Sequence, residues 1–350
     1  MAQQSHRYAA LDLLRGIAAV AVLVFHAQSG TGWQLFTHGY LAVDLFFVVS
    51  GFVVSAAYER RLNAGTSFAK FMVSIRLLRL YPLFLLSTLF SIVSLYISGH
   101  VGLVHPSFLA RELLLVPSTA PFLGLYPLNL AQWSIFFELV ANAAHAAVLR
   151  KLGVQALVGL AATSAVALIA CQQHYGSMDM GAGVETFAGG LARVFFSYTA
   201  GMILWRLWSS DRLPQFKGGW TVAPVLLLGC LCITAPKTSV AGQIVDLLAV
   251  MILFPAITVV SLAGIRSLRV NEFCALAGNL SYPIYLLQLP IFWLCRKALH
   301  GYGYDVVTVA TLLVTIPASL AAFHYYDKPV RAWIGGRLKM RSQSLAASAP

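Results

Sequence analysis

The chain has 350 residues, of which 59% are hydrophobic and only 10% charged, with a mean hydropathy of +0.77. Soluble domains carry about a quarter charged residues, so this composition excludes an ordinary soluble protein and indicates one embedded in a lipid bilayer. The formal net charge of +12 does not read as a nucleic-acid footprint, because the basic residues lie in short segments between apolar runs, the arrangement that sets membrane orientation.

A bilayer core demands about 17–25 consecutive apolar residues. In chain order such runs occupy about 11–28, 39–57, 80–98, 131–149, 154–171, 190–208, 220–235, 241–263, 279–296 and 306–325, predicting an all-α protein of about ten transmembrane helices. The first run opens on Asp12 and Arg15 without a small-residue cleavage site, so it reads as a retained span rather than a secretory signal. With the N-terminus inside, all of the 24 Lys and Arg except Arg111, Arg193, Lys237, Arg296 and Lys297 fall on the cytoplasmic side, which predicts both termini cytoplasmic.

Between the second and third runs, "ERRLNAGTSFAKFMVSIRLLRLYP" is too polar to span. It places Phe68, Phe71, Ile75 and Leu78 at helical spacing among basic residues, predicting an interfacial helix along the cytoplasmic face. The segment from about 99 to 130, with "VPSTAPFLGLYPLNL", is broken by prolines and is expected to pack at the outer surface or re-enter partway. Residues 1–335 read as one membrane domain. The remainder, 336–350, is a basic, small-residue cytoplasmic tail that its composition predicts to lack fixed structure. The five cysteines, Cys171, Cys230, Cys232, Cys274 and Cys295, have neither metal-ligand spacing nor a disulfide framework, and no metal is implied.

Charge inside the apolar runs is costly and marks function. Arg15 and His26 are eleven residues apart in "LDLLRGIAAVAVLVFH". On a helix that is within roughly 20° of the same face and about 16 Å along the axis, with Asp12 within roughly 40° of His26. A packed histidine satisfied by a carbonyl and a working imidazole both fit this spacing. Asp44 in "GYLAVDLFFVVSGF" and Glu138 in "QWSIFFE" lie near the outer ends of their runs, so His26, Asp44 and Glu138 are expected at one depth. That grouping suits either a general base oriented by a carboxylate or an interhelical hydrogen-bond network. Ser50-Gly51-Phe52 offers a hydroxyl, but small residues within a span favour close helix packing. Arg76 and Arg79 in "RLLRLYP" stand one turn apart, where they can grip phosphates or simply set topology.

Taken in order, "LDLLRGIAAVAVLVFH", "GYLAVDLFFVVSGF", "RLLRLYP", "QWSIFFE" and "LSYPIYLLQLP" resemble the integral membrane acyltransferase-3 family, which O-acylates bacterial surface sugars, and the resemblance covers nearly the whole chain. It implies a multi-pass enzyme of the bacterial inner membrane that moves an acyl group, with acetyl-CoA the expected form of the acyl-CoA donor. The acceptor it implies is a hydroxyl of a surface polysaccharide or lipid-linked glycan. It also implies that His26 is the base, that Arg15 is required, and that Arg76 and Arg79 hold the donor. Two positions depart from the family pattern: Gln288 stands where many members have histidine, and Asp327 in "YDKPVRAW" where Glu is common. A transporter or flippase is the rival reading of buried charge in many spans, but the paired interrupted helices of carriers have no counterpart here, and no internal repeat is visible.

Overall fold

The computed structural model of the chain describes residues 8–120 and 123–347, with side chains of the last helix described as far as Arg337. Among the described residues every regular element is helical: α1 (Ala9–Ala27), α2 (Ala42–Asn63), α3 (Leu78–Ile97), α4 (Pro106–Leu113), α5 (Trp133–Ala147), α6 (Val154–Tyr175), α7 (Phe187–Trp208), α8 (Gly219–Leu231), α9 (Val240–Leu248), α10 (Phe254–Val260), α11 (Leu268–Ala298), α12 (Tyr304–Ala321) and α13 (Lys328–Ala347).

All ten apolar runs fold as helix, but among the described residues only seven helical runs are long and apolar enough to cross a membrane: Ala9–Ala27, Gly39–Asn63, Lys70–Ile97, Val154–Tyr175, Phe187–Trp208, Val240–Val260 and Tyr304–Arg337. The other three fall short for different reasons. With 13 residues, α8 reaches only about 20 Å, less than a core of about 30 Å, while α5, continuous with the turn Leu130–Gln132, carries Gln132, Glu138, Asn142 and His145. In contrast, α11 has 31 residues but carries Asn271, Glu272, Asn279 and Gln288 along its length.

Small residues bring the helices together. A Cβ on Gly51 would lie 2.0 Å from the Tyr198 carbonyl oxygen, and one on Gly201 2.0 Å from that of Val48. Helices α2 and α7 therefore touch backbone to backbone, and the glycine of "SGF" is a packing residue. Likewise α1 lies against α11 with Gly16 on Ala277 and Asp12 on Gly278.

Three stretches, Lys70–Leu77, Ala249–Leu253 and Ala322–Asp327, are wound as π-helix, in which an extra residue per turn redirects the side chains, often at a functional site. The first corrects the expectation of a separate interfacial helix. The basic stretch runs unbroken into α3, and its winding turns Phe71 and Arg76 inward, to 0% and 3% exposure. The proline-rich segment packs on the bundle: Asn129 Nδ2 donates to the Leu286 carbonyl at 3.0 Å, and the Leu125 amide to that of Ala182 at 2.8 Å. Helix α13 continues through Ala347, so helical backbone covers most of the tail that composition alone predicts to be unstructured. The stretch "RLKMRSQSLAA" is made largely of good helix formers.

Candidate active site

Two cavities lie within the helices. The first, about 480 Å³, is lined by Arg15 and Asp12 from α1, Ser50 from α2, Arg76 and Arg79 at the start of α3, Glu138 from α5, and Asp327 and Arg331 where α12 runs into α13. Its charges are partly spent on one another. Arg76 is buried and donates from Nη2 to Glu138 Oε1 at 2.6 Å, Ser50 Oγ donates to the same oxygen at 2.8 Å, and Arg76 Nε has no partner among the described residues. Arg331 pairs with Asp327, while Arg15 holds Asp12 only loosely, at 3.7 Å. Arg79 is the most open of these arginines. Arg15, Arg76, Arg79 and Arg331 outnumber the carboxylates Asp12, Glu138 and Asp327, and their planar forks suit a polyanion such as a phosphate chain.

The second cavity, about 500 Å³, contains His26 with Gln28, Trp33, Trp133, Asp179 and Lys237 on its walls. His26 is half-buried at the last turn of α1. Its ring stands edge-on to Phe25, and no described side chain hydrogen-bonds it. Lys237 Nζ donates to Asp179 Oδ2 at 2.6 Å across the loops after α6 and α8. Beneath the cavity, Tyr40 donates to both oxygens of Asp246 at 2.9 and 2.8 Å, and His38 Nδ1 lies 2.6 Å from Asp246 Oδ1. His38 Nε2 lies 3.0 Å from the Ala235 carbonyl. That carbonyl can only accept, so Nε2 is the donor there. This clip fastens the turn after α1 to α9 and the segment before it.

The sequence-predicted residues are divided between these cavities. Arg15, Arg76 and Arg79 come together in the first and His26 stands in the second, in the order that the α1 spacing requires. The expected convergence of Asp44 and Glu138 on His26 is not what the structure has. Glu138 belongs to the arginine cavity. Asp44, at 0% exposure, is gripped by Arg193, itself at 1%, through Nη2–Oδ2 at 2.6 Å and Nε at 3.1–3.2 Å. The rest of that guanidinium donates to the carbonyls of Met180 and Tyr40. Similar depth does not fix direction around a helix axis, and a guanidinium buried in α7 must be neutralised by the carboxylate that faces it. Gln288 lines neither cavity and donates to the Tyr285 carbonyl of its own helix. Among the described residues no group of His, Cys, Asp and Glu is placed to hold a metal ion.

Arg193, Asp179, Lys237, Arg331 and Tyr285 escape a reading of the sequence for chemistry. Arg193 had a signal, a lone charge inside the apolar "FAGGLARVFFSYTAG", but it reads equally as an outer-loop cation. Asp179 and Lys237 sit in loops without periodicity. Val43 and Tyr285 line both cavities, so the two chambers share a wall there, one guanidinium-rich and one holding an imidazole.

Residues 8–324 match a family model described as an acyltransferase domain. The chain is similar to protein 2 in the picA locus of Rhizobium radiobacter, 34% identical over 185 residues, which cover 48% of this chain and 96% of the relative. It is also similar to the exopolysaccharide production protein ExoZ of Rhizobium meliloti (strain 1021), 26% identical over 320 residues, 88% of this chain and 94% of the relative. No solved structure matches it. With the family match running from the start of α1 into the last membrane-length helix, the chain belongs to the acyltransferase-3 family and is a multi-pass membrane acyltransferase.

Proposed function

We propose that the protein is an O-acetyltransferase of the bacterial inner membrane, carrying acetyl from cytoplasmic acetyl-CoA to a hydroxyl of an exopolysaccharide or its lipid-linked precursor. In this reading residues 1–335 form one membrane domain with both termini cytoplasmic. The observation that carries it is the pair of cavities sharing a wall at Val43 and Tyr285, with the arginines in one and His26 in the other. The exopolysaccharide acceptor is suggested by the name of the ExoZ relative.

Arg15, Arg79 and Arg331 hold the phosphates of CoA at the cytoplasmic mouth, and Arg76, fixed by Glu138, closes the inner wall of that chamber. The thioester arm then extends along the α1 stripe for about 16 Å to bring its carbonyl to the junction. In the outer chamber a sugar lies beside Trp33 and presents a hydroxyl to His26, which no described side chain hydrogen-bonds and which takes the proton as general base. Asp44 serves this chamber indirectly, by holding Arg193 in its wall.

Comparing exopolysaccharide from a deletion strain and its complement by mass spectrometry tests the proposal. One acetyl mass per modified repeat is expected to disappear and return, and unchanged acylation contradicts it. The orientation has its own test in single cysteines: those placed near residues 65 and 212 should be shielded from an impermeant thiol reagent applied outside, and one near residue 180 labelled.

A further inference from the structure

The junction between the chambers is where donor and acceptor must meet, and of the two residues common to both walls one is a valine. Tyr285 is therefore the residue with a polar side chain that both walls share. The tyrosine is 7% exposed and its ring is set edge-on to Phe46, 5.9 Å between centroids. Its hydroxyl shares a hydrogen bond of 2.8 Å with Ser134 Oγ, and Ser134 Oγ lies 3.4 Å from the Ala131 carbonyl, lining the arginine-rich chamber. The bond between the hydroxyls can run either way. In one arrangement Tyr285 donates to Ser134 and Ser134 to the Ala131 carbonyl. When a carbonyl oxygen arrives at the junction, Ser134 can turn its hydrogen to Tyr285, leaving the phenolic hydrogen free to point at the newcomer.

We propose that Tyr285 is a catalytic residue whose hydroxyl donates to the thioester carbonyl oxygen as it becomes an oxyanion, with Ser134 as the positioning residue that aims it. This rests on the acyl-CoA reading above. His26 takes the proton of the sugar hydroxyl as that oxygen bonds to the carbonyl carbon, and the carbonyl electron pair moves onto oxygen, where Tyr285 hydrogen-bonds it. The pair then returns, the carbon–sulfur bond breaks, and the CoA sulfur leaves with the proton from His26, giving a neutral ester and free CoA thiol. A donor aimed at the oxyanion strengthens its bond in the transition state more than in the ground state, and removing one such donor costs about 10²–10³ in turnover.

The test uses inverted membrane vesicles from a deletion strain expressing the full chain, with radiolabelled acetyl-CoA outside and the endogenous glycan as acceptor, alongside CoA affinity of purified protein. Tyr285→Phe, which keeps the ring, should lower the rate at saturating acetyl-CoA about 10²–10³-fold while CoA affinity stays within about twofold. Ser134→Ala should lower the same rate about tenfold, with Ser134→Thr restoring most of it, because the threonine keeps the hydroxyl. If Tyr285→Phe fails to accumulate, the Ser134 pair carries the test alone. A Tyr285→Phe rate within threefold of wild type overturns the proposal, as does a parallel loss of CoA affinity, which would make Tyr285 a binding or packing group. Ser134→Thr remaining as slow as Ser134→Ala removes Ser134 from it. If wild-type vesicles incorporate no label and wild-type protein binds no CoA, the donor reading itself fails, and this one with it.

Discussion

The two chambers are built on opposite electrostatic plans. In the arginine-rich chamber the cations outnumber the carboxylates, Arg15 is only loosely held and Arg79 is the most open of the arginines, so it is charged and ready to receive an anion. In the chamber of His26, each charge on the wall has a partner. Lys237 is paired with Asp179 and Arg193 with Asp44, and His38 Nδ1 lies 2.6 Å from Asp246. A neutral, hydrogen-bonding ligand such as a sugar fits the second plan, and a phosphate chain fits the first. Among the described residues no side chain hydrogen-bonds the half-buried imidazole of His26, in contrast to the satisfied pairs around it.

The largest effect should come from the imidazole. His26→Ala is expected to abolish acyl transfer, read as O-acetyl content of the polysaccharide in a complemented deletion strain, while leaving membrane abundance unchanged. Near-normal acylation would remove His26 from the chemistry.

Next in size is the buried pair behind the outer chamber. Asp44→Asn leaves the Arg193 guanidinium buried without its counter-charge, a change that costs about 3–5 kcal/mol and should show as lost abundance and a lowered unfolding temperature in detergent. Arg193→Met with Asp44→Asn should recover part of it. If Asp44→Asn instead accumulates normally and only slows turnover, Asp44 acts on the reaction rather than on the fold. At the small end, Lys237 and Asp179 are 45% and 37% exposed. Breaking their bridge with Asp179→Asn should change stability by less than about 1 kcal/mol, measured by the same unfolding curves.

The same contrast explains what could be read from the sequence. Length and apolarity placed the long helices, but α8 ends after 13 residues and α5 carries Glu138, Asn142 and His145, which an apolar window of fixed length does not register. Arg15, His26, Arg76 and Arg79 were legible because local helix geometry alone sets their relation: a stripe on α1, one turn at the head of α3. Asp44 and Glu138 were misplaced because their partners, Arg193 and Arg76, lie 149 and 62 residues away in sequence. Helix rotation, set by Gly51 and Gly201 packing, decides which pair forms. Tyr285 was visible as part of "LSYPIYLLQLP", but nothing in one dimension says that two cavities end on it.

The division of labour between the chambers is tested most directly by the affinity of purified protein for CoA, compared across Arg79→Lys and His26→Ala. Lysine keeps the charge but loses the bidentate fork, and a charge-assisted hydrogen bond is worth about 1.5–3 kcal/mol. Arg79→Lys should therefore bind CoA about ten- to a hundredfold more weakly, while His26→Ala binds as wild type does. If Arg79→Lys binds normally and His26→Ala does not, the donor enters from the other side and the assignment of the chambers is reversed.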